Sequence, residues 1–211
     1  MIASHIHDAL AQVRKLQEII IERGLFRGYS GTARWFGGLA TLVGTLIMAS
    51  SLVPKTELAH LVGWGIVLAV AMVANYAGLT LWFLSDPEAK RDPQALTPAI
   101  DALAPLAAGG VLSAALVVRG DCDLLFGVWM CLYGVAHAAY RRSLPRANFI
   151  LGIYYGLCGT VCLIHPAIRF IDPWPMGIVF FAGETVGGFI LRQNRLNTER
   201  RSERETKDET P

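Results

Sequence analysis

Charged side chains are scarce in this sequence. Asp, Glu, Lys and Arg make up 17% of the 211 residues, whereas hydrophobic residues make up 53% and the mean hydropathy is +0.41. Soluble domains carry about a quarter charged residues, so this composition argues against a soluble domain and predicts a membrane protein. The formal net charge is only +2. This near balance gives no reason to expect a nucleic-acid partner.

The sequence also lacks the short motifs of common catalytic sites. It contains no P-loop and no GxSxG, HExxH or CxxC pattern. Three of the four cysteines lie in apolar runs, where they are expected to be small packing residues. His137 is the only histidine well inside such a run, so a bis-histidine haem is not expected. We therefore predict no cofactor, no metal and no enzymatic activity.

Long hydrophobic runs are abundant. Six of them approach the roughly 17–25 residues that a helix needs to cross the hydrocarbon core, and they cover residues 33–54, 59–84, 98–118, 124–140, 147–165 and 174–191. Glycines recur at similar places in these runs, which favours pairing them as hairpins. We predict an all-α polytopic membrane protein with six transmembrane helices in three hairpins. A cytoplasmic amphipathic helix and turn (1–32) precede the bundle (33–191), and a charged cytoplasmic tail (192–211) follows it.

Basic residues are distributed unevenly around these runs. One side of the predicted bundle has only Lys55, Arg119 and Arg169. The other basic residues, with Arg34 counted in the N-terminal segment, fall in both termini and in the second and fourth loops. The positive-inside rule then places both termini in the cytoplasm. We expect the protein in the bacterial inner membrane, with the lipid bilayer around it.

The N-terminal segment, residues 4–24, has the pattern of an amphipathic helix. Apolar residues recur there at three- and four-residue spacing, among them Leu10, Val13, Leu16 and Ile20. Two interpretations stay open. The helix lies on the membrane surface or on the protein's own loops, or its apolar face binds a protein partner or a second copy of the chain.

Polar side chains inside the predicted bilayer are few, and they are the candidate site. They are Glu184, His137, Asn75, Asp101 and Tyr154, with Tyr155 as the alternative to Tyr154, all expected in the cytoplasmic half. An intramembrane acid is a functional hypothesis by default because placing it there is costly. The alternative is a protonated or hydrogen-bonded helix contact, with Tyr154 or Asn75 as the partner of Glu184. A water-filled vestibule, a proton-binding pocket and a small-ligand site all fit the functional interpretation.

Two parts of the sequence resemble known membrane proteins. Residues 16–46, with Glu22-Arg23 followed by the turn Tyr29-Ser30-Gly31, resemble the start of uncharacterised bacterial six-helix membrane proteins. The glycine-rich segment 151–191 is similar to the repeated hairpins of acid-resistance membrane proteins. These resemblances imply a six-helix membrane fold and supply no functional residues.

Two functions remain after these exclusions. A regulatory or scaffolding subunit, which binds a partner through its cytoplasmic segments, fits the length of sequence outside the runs and is our first expectation. A small transporter or channel with a cytoplasm-facing site around Glu184 is the alternative.

Overall fold

The protein is all-α in the part of the chain that the structure describes. A computed structural model describes residues 30–85, 103–139 and 146–208, and these residues form six α-helices and no strand. The helices are α1 (Gly31–Ala49), α2 (Glu57–Ser85), α3 (Leu103–Arg119), α4 (Leu125–Ala139), α5 (Arg146–Ile164) and α6 (Trp174–Asp208), with a short 3-10 helix (Cys122–Leu124) before α4. The predicted docking face of Leu10, Val13, Leu16 and Ile20, and Asp101, lie outside the described residues.

Within the described residues, four helical segments are long and apolar enough to cross a membrane. They are Glu57–Ser85, Cys122–Ala139, Ala147–Ile164 and Trp174–Asn197, and α3 is apolar but has only 17 residues. Helix α1 is not among the four, because four glycines, three threonines and Arg34 lower the hydropathy of its 19 residues. These segments agree with the predicted membrane class. Helix α6 passes through the predicted boundary at Leu191 and continues to Asp208.

The surface of the described bundle is strongly apolar. Large hydrophobic side chains are exposed on every helix, including Phe36, Ile66, Val111, Val161 and Phe189. Val111, for example, is 72% exposed. A continuous apolar surface of this kind is costly in water and suits contact with lipid.

Helices α1 and α6 pack closely in antiparallel fashion along a line of small residues. A Cβ placed on Gly31 would lie 2.6 Å from the carbonyl oxygen of Gly188, and one on Gly38 would lie 3.1 Å from the Cβ of Glu184. Further along, Gly177 lies directly against Thr45. Small residues allow this approach, which is the usual way that helices associate in membranes.

Helices α4 and α5 form the second close pair. A Cβ on Gly134 would lie 2.7 Å from the carbonyl oxygen of Gly152, and one on Gly159 would lie 2.8 Å from that of Gly127. Helix α1 also packs on α2, α3 on α4, and α5 on α6. The helices of each predicted hairpin are therefore in contact, while the closest pairs are α1–α6 and α4–α5.

One end of the bundle is filled by an aromatic and sulfur-containing core. This is the end at which α1 stops and α2, α4 and α6 begin. The ring centroid of Phe126 lies 5.7 Å from Trp64 and 5.0 Å from Phe170, and Met48 and Met130 are buried beside them. The opposite end, where α1 begins, instead contains buried charged side chains.

Candidate functional site

Arg34 is the centre of the polar cluster in the described bundle. Ser30 caps α1, since its hydroxyl accepts a hydrogen bond at 3.3 Å from the amide of Ala33. Arg34 therefore lies in the first turn of α1, and it is only 2% exposed. From the sequence, Arg34 was expected outside the membrane with the other N-terminal basic residues. The structure instead buries it between helices.

Glu184 of α6 is the counter-ion of Arg34. The guanidinium donates from Nε to Oε2 and from Nη2 to Oε1, both at 2.9 Å. The hydroxyls of Tyr133 and Tyr155 also donate to Oε1, at 2.8 and 3.0 Å. Four donors thus point at one carboxyl group, so Glu184 is bound as a carboxylate.

His137 and Asn148 complete the ring of acceptors around Arg34. Nη2 of Arg34 lies 3.0 Å from Nε2 of His137, and Nη1 donates to Oδ1 of Asn148 at 2.9 Å. Nδ1 of His137 lies 2.9 Å from the carbonyl oxygen of Tyr133. A guanidinium can only donate and a carbonyl can only accept, so His137 is neutral with its proton on Nδ1. The cluster then contains one positive and one negative charge.

Aromatic rings hold the hydroxyl groups of the cluster in place. Tyr133 stacks edge-on against Tyr155 and His137, with ring centroids 4.8 and 4.5 Å apart. The ring centroid of Phe180 of α6 lies 5.2 Å from that of Tyr133 and 5.0 Å from that of Tyr155. The cluster joins α1, α4, α5 and α6, so every one of the closely packed helices contributes a side chain to it.

The structure brings together only part of the predicted site. Glu184 and His137 meet through Arg34. Asn75 is not bonded to the cluster, because its side chain donates to the carbonyl oxygen of Ala71 at 3.4 Å, although it lines the cavity beside the cluster. Tyr154 donates to the carbonyl oxygen of Val179 at 3.1 Å rather than to Glu184. The suggested partners of Glu184, Tyr154 and Asn75, were therefore wrong.

Three members of the cluster were missed by sequence reasoning, namely Arg34, Tyr133 and Asn148, and Tyr155 was named only as the alternative to Tyr154. Tyr133 and His137 are four residues apart on one helix and so share a face, which was a usable signal. Arg34 was visible as a basic residue one position inside the first apolar run. Nothing in the sequence distinguishes Tyr155 from Tyr154.

A cavity of about 480 Å³ adjoins the cluster. Helices α2 and α3 form its two sides, through residues such as Ala71 and Gly110, and Arg34, His137 and Glu184 are part of its lining. Both side helices pack loosely: α3 has no buried residue, and only His60 and Trp64 are buried on α2. The cavity is thus an apolar space between two lipid-exposed helices, with a charged group in its wall.

Two buried hydrogen-bond donors in the cavity wall have no partner among the described residues. They are Nε1 of Trp64 and Nδ2 of Asn148, and the two side chains are only 4% and 1% exposed. Nδ2 is the free end of the Asn148 amide because Oδ1 accepts from Arg34. Both nitrogen atoms are themselves buried in the wall. A buried unpaired donor costs about 1–3 kcal/mol, so an acceptor on a bound molecule that reaches either atom would gain affinity.

Metal binding finds no support in the part of the chain that the structure describes. No group of three or more His, Cys, Asp or Glu side chains is placed there to hold an ion. The polar atoms of Glu184 and His137 are engaged by Arg34, Tyr133 and Tyr155.

Comparison with protein-family models, with curated proteins and with solved structures gives no match. The resemblances drawn from residues 16–46 and 151–191 therefore stay predictions.

Proposed function

We propose that this is an integral protein of the bacterial inner membrane that crosses the bilayer six times with both termini in the cytoplasm. Four helical segments have the required length and composition, and α1 and α3 lie against α2 and α4 in the same bundle. The distribution of basic residues supports the orientation. In this orientation the Arg34 cluster lies in the cytoplasmic half and the aromatic core around Phe126 in the outer half.

The topology predicts the side of the membrane on which each loop lies. A topology reporter fused after Lys55 or Arg169 is expected to lie outside the cytoplasm. A reporter fused after Arg91 or Arg142 is expected to lie in the cytoplasm. The loop at Arg169 is the sharpest test, because a cytoplasmic signal there is incompatible with six crossings and a cytoplasmic C-terminus.

Within this topology we propose that the protein binds or carries a small, largely apolar molecule taken from the membrane. The observation that supports it is the cavity between α2 and α3, with unpaired donors in its wall. A merely structural ion pair needs no such space beside it. Loose packing of both side helices gives a membrane-dissolved molecule a lateral route to the cavity.

The regulatory or scaffolding function stays a prediction, since the docking face it needs is outside the described residues. Catalysis gains no support from the cluster. Its carboxylate and imidazole are already bound by donors, and neither is poised to accept a proton from a substrate.

Filling the cavity tests the proposed function. Gly110 of α3 lines the cavity, and a Cβ there meets nothing within 4 Å. Gly110→Trp is expected to abolish saturable binding of tritiated dodecyl probes to the protein in nanodiscs. The probes are methyl laurate, laurate, dodecylammonium and dodecane, and empty nanodiscs give the background.

The neighbouring exposed residue supplies the control. Val111 is not part of the cavity lining, so Val111→Trp adds the same side chain on the lipid face and is expected to bind like the parent protein. Absence of saturable binding for all four probes, or equal binding by the Gly110→Trp variant, overturns the proposed function.

A further inference from the structure

We propose that the ligand is an uncharged, elongated amphiphile whose polar end presents a carbonyl-type acceptor to Asn148. This inference rests on the proposed function and names the chemical class that the cavity selects. It follows from the charge of the cluster, from the two unpaired donors and from the distance between them.

The charge of the cluster argues for a neutral ligand. Arg34 is matched by the carboxylate of Glu184 through two hydrogen bonds at 2.9 Å, and His137 is neutral. Among the described residues of the wall, neither an anion nor a cation would therefore find an uncompensated charge. An ionised group that enters this apolar space loses its solvation, and no opposite charge there compensates for the loss.

The unpaired groups argue for acceptors on the ligand. Nδ2 of Asn148 and Nε1 of Trp64 can only donate. The carbonyl oxygen of an ester, ketone or amide satisfies such a group without adding charge. A pure hydrocarbon leaves both donors unpaired, so an acceptor on the ligand is favoured over bare chain.

The positions of the two donors argue for an elongated molecule. Asn148 is bonded to the Arg34 guanidinium, which lies at the level of Gly38 because Glu184 packs on that glycine. Trp64 follows Gly63, which packs on Met48. Gly38 and Met48 are ten residues apart on α1, and the guanidinium also contacts Gly187, which lies nearer the start of α1. The levels of Asn148 and Trp64 are therefore separated by at least about 15 Å along the bundle axis. Apolar residues of α2 and α3 line the space between these two levels.

The probe series on the parent protein tests the charge and the acceptor. Methyl laurate is expected to bind about tenfold or more tightly than laurate and dodecylammonium, and about fivefold more tightly than dodecane. If laurate binds as tightly as its ester, the cluster is an anion site and the inference is wrong, although the proposed function stands. If dodecane binds as tightly as methyl laurate, the two donors do not bind the ligand and the inference is wrong.

Two variants test the assigned donors. Asn148→Leu is expected to remove the advantage of methyl laurate over dodecane. Trp64→Phe keeps an aromatic ring and removes the N–H together with part of the indole volume. Dimethyl dodecanedioate, with an ester at each end, should bind the parent protein about fivefold more tightly than methyl laurate, and Trp64→Phe should abolish that gain alone.

The second variant keeps the inference testable if Asn148→Leu fails to fold. An unchanged preference for the diester in Trp64→Phe would show that Trp64 does not bind the second acceptor. Equal binding of diester and monoester by the parent protein would contradict the two-ended site.

Discussion

Replacing Arg34 with methionine is expected to lower the free energy of unfolding by about 3–5 kcal/mol, because it leaves the Glu184 carboxylate buried without its counter-ion. Glu184 is 6% exposed and would keep only the hydroxyl donors of Tyr133 and Tyr155. His137 and Asn148 would also lose their donor. Denaturant titration in mixed micelles, followed by far-UV circular dichroism, measures the loss.

The double variant separates the ion pair from packing. Arg34→Met combined with Glu184→Leu removes both charges, so its loss of stability should be smaller than the sum of the two single losses by about 2 kcal/mol or more. The combined variant should still be less stable than the parent, since four polar groups around the pair lose a partner. Strictly additive losses would contradict a direct Arg34–Glu184 interaction.

Lysine at position 34 provides a second comparison. Lysine keeps the charge but lacks the planar guanidinium with its several N–H donors. It therefore cannot bind both oxygens of Glu184 together with Asn148 and His137. Arg34→Lys is expected to be intermediate between the parent and Arg34→Met. Stability equal to that of the parent would show that charge alone holds the cluster.

The helices were largely predictable from the sequence because each is a long apolar run. The predicted run 59–84 corresponds to Glu57–Ser85 and 147–165 to Arg146–Ile164. Glu184 and His137 were recognisable for the same reason: each is polar in an apolar setting. These features depend on local composition, which a single sequence displays directly.

The partners within the cluster depend on long-range packing, which composition does not display. Arg34 and Glu184 are 150 residues apart, and they meet because α1 packs on α6. A count of basic residues along the sequence assigns Arg34 to the aqueous side, because it lies near the start of the first apolar run. Tyr154 and Tyr155 differ by about 100° in direction on a helix, and only the packing of α5 decides which of them faces Glu184.

The second large effect is expected at Gly187, on which the guanidinium of Arg34 rests. A Cβ at this position would lie 2.5 Å from Nη1 and 2.7 Å from Nη2 of Arg34. Side-chain contacts are not this short, so Gly187→Ala must displace the guanidinium and disturb its bonds to Glu184, Asn148 and His137. We expect a loss of about 3 kcal/mol, from overpacking together with weakened hydrogen bonds to charged groups.

A matched glycine gives the control for this variant. Gly110 is also within a helix, but a Cβ there meets nothing within 4 Å, so Gly110→Ala should change stability little. The effect at Gly187 should also depend on Arg34: in the Arg34→Met background, where the guanidinium is gone, the added methyl group should cost much less. An equal loss of stability in both backgrounds would mean that Gly187 is needed for the packing of α6 on α1 rather than for the position of the Arg34 guanidinium. The cluster would then tolerate a displacement of Arg34.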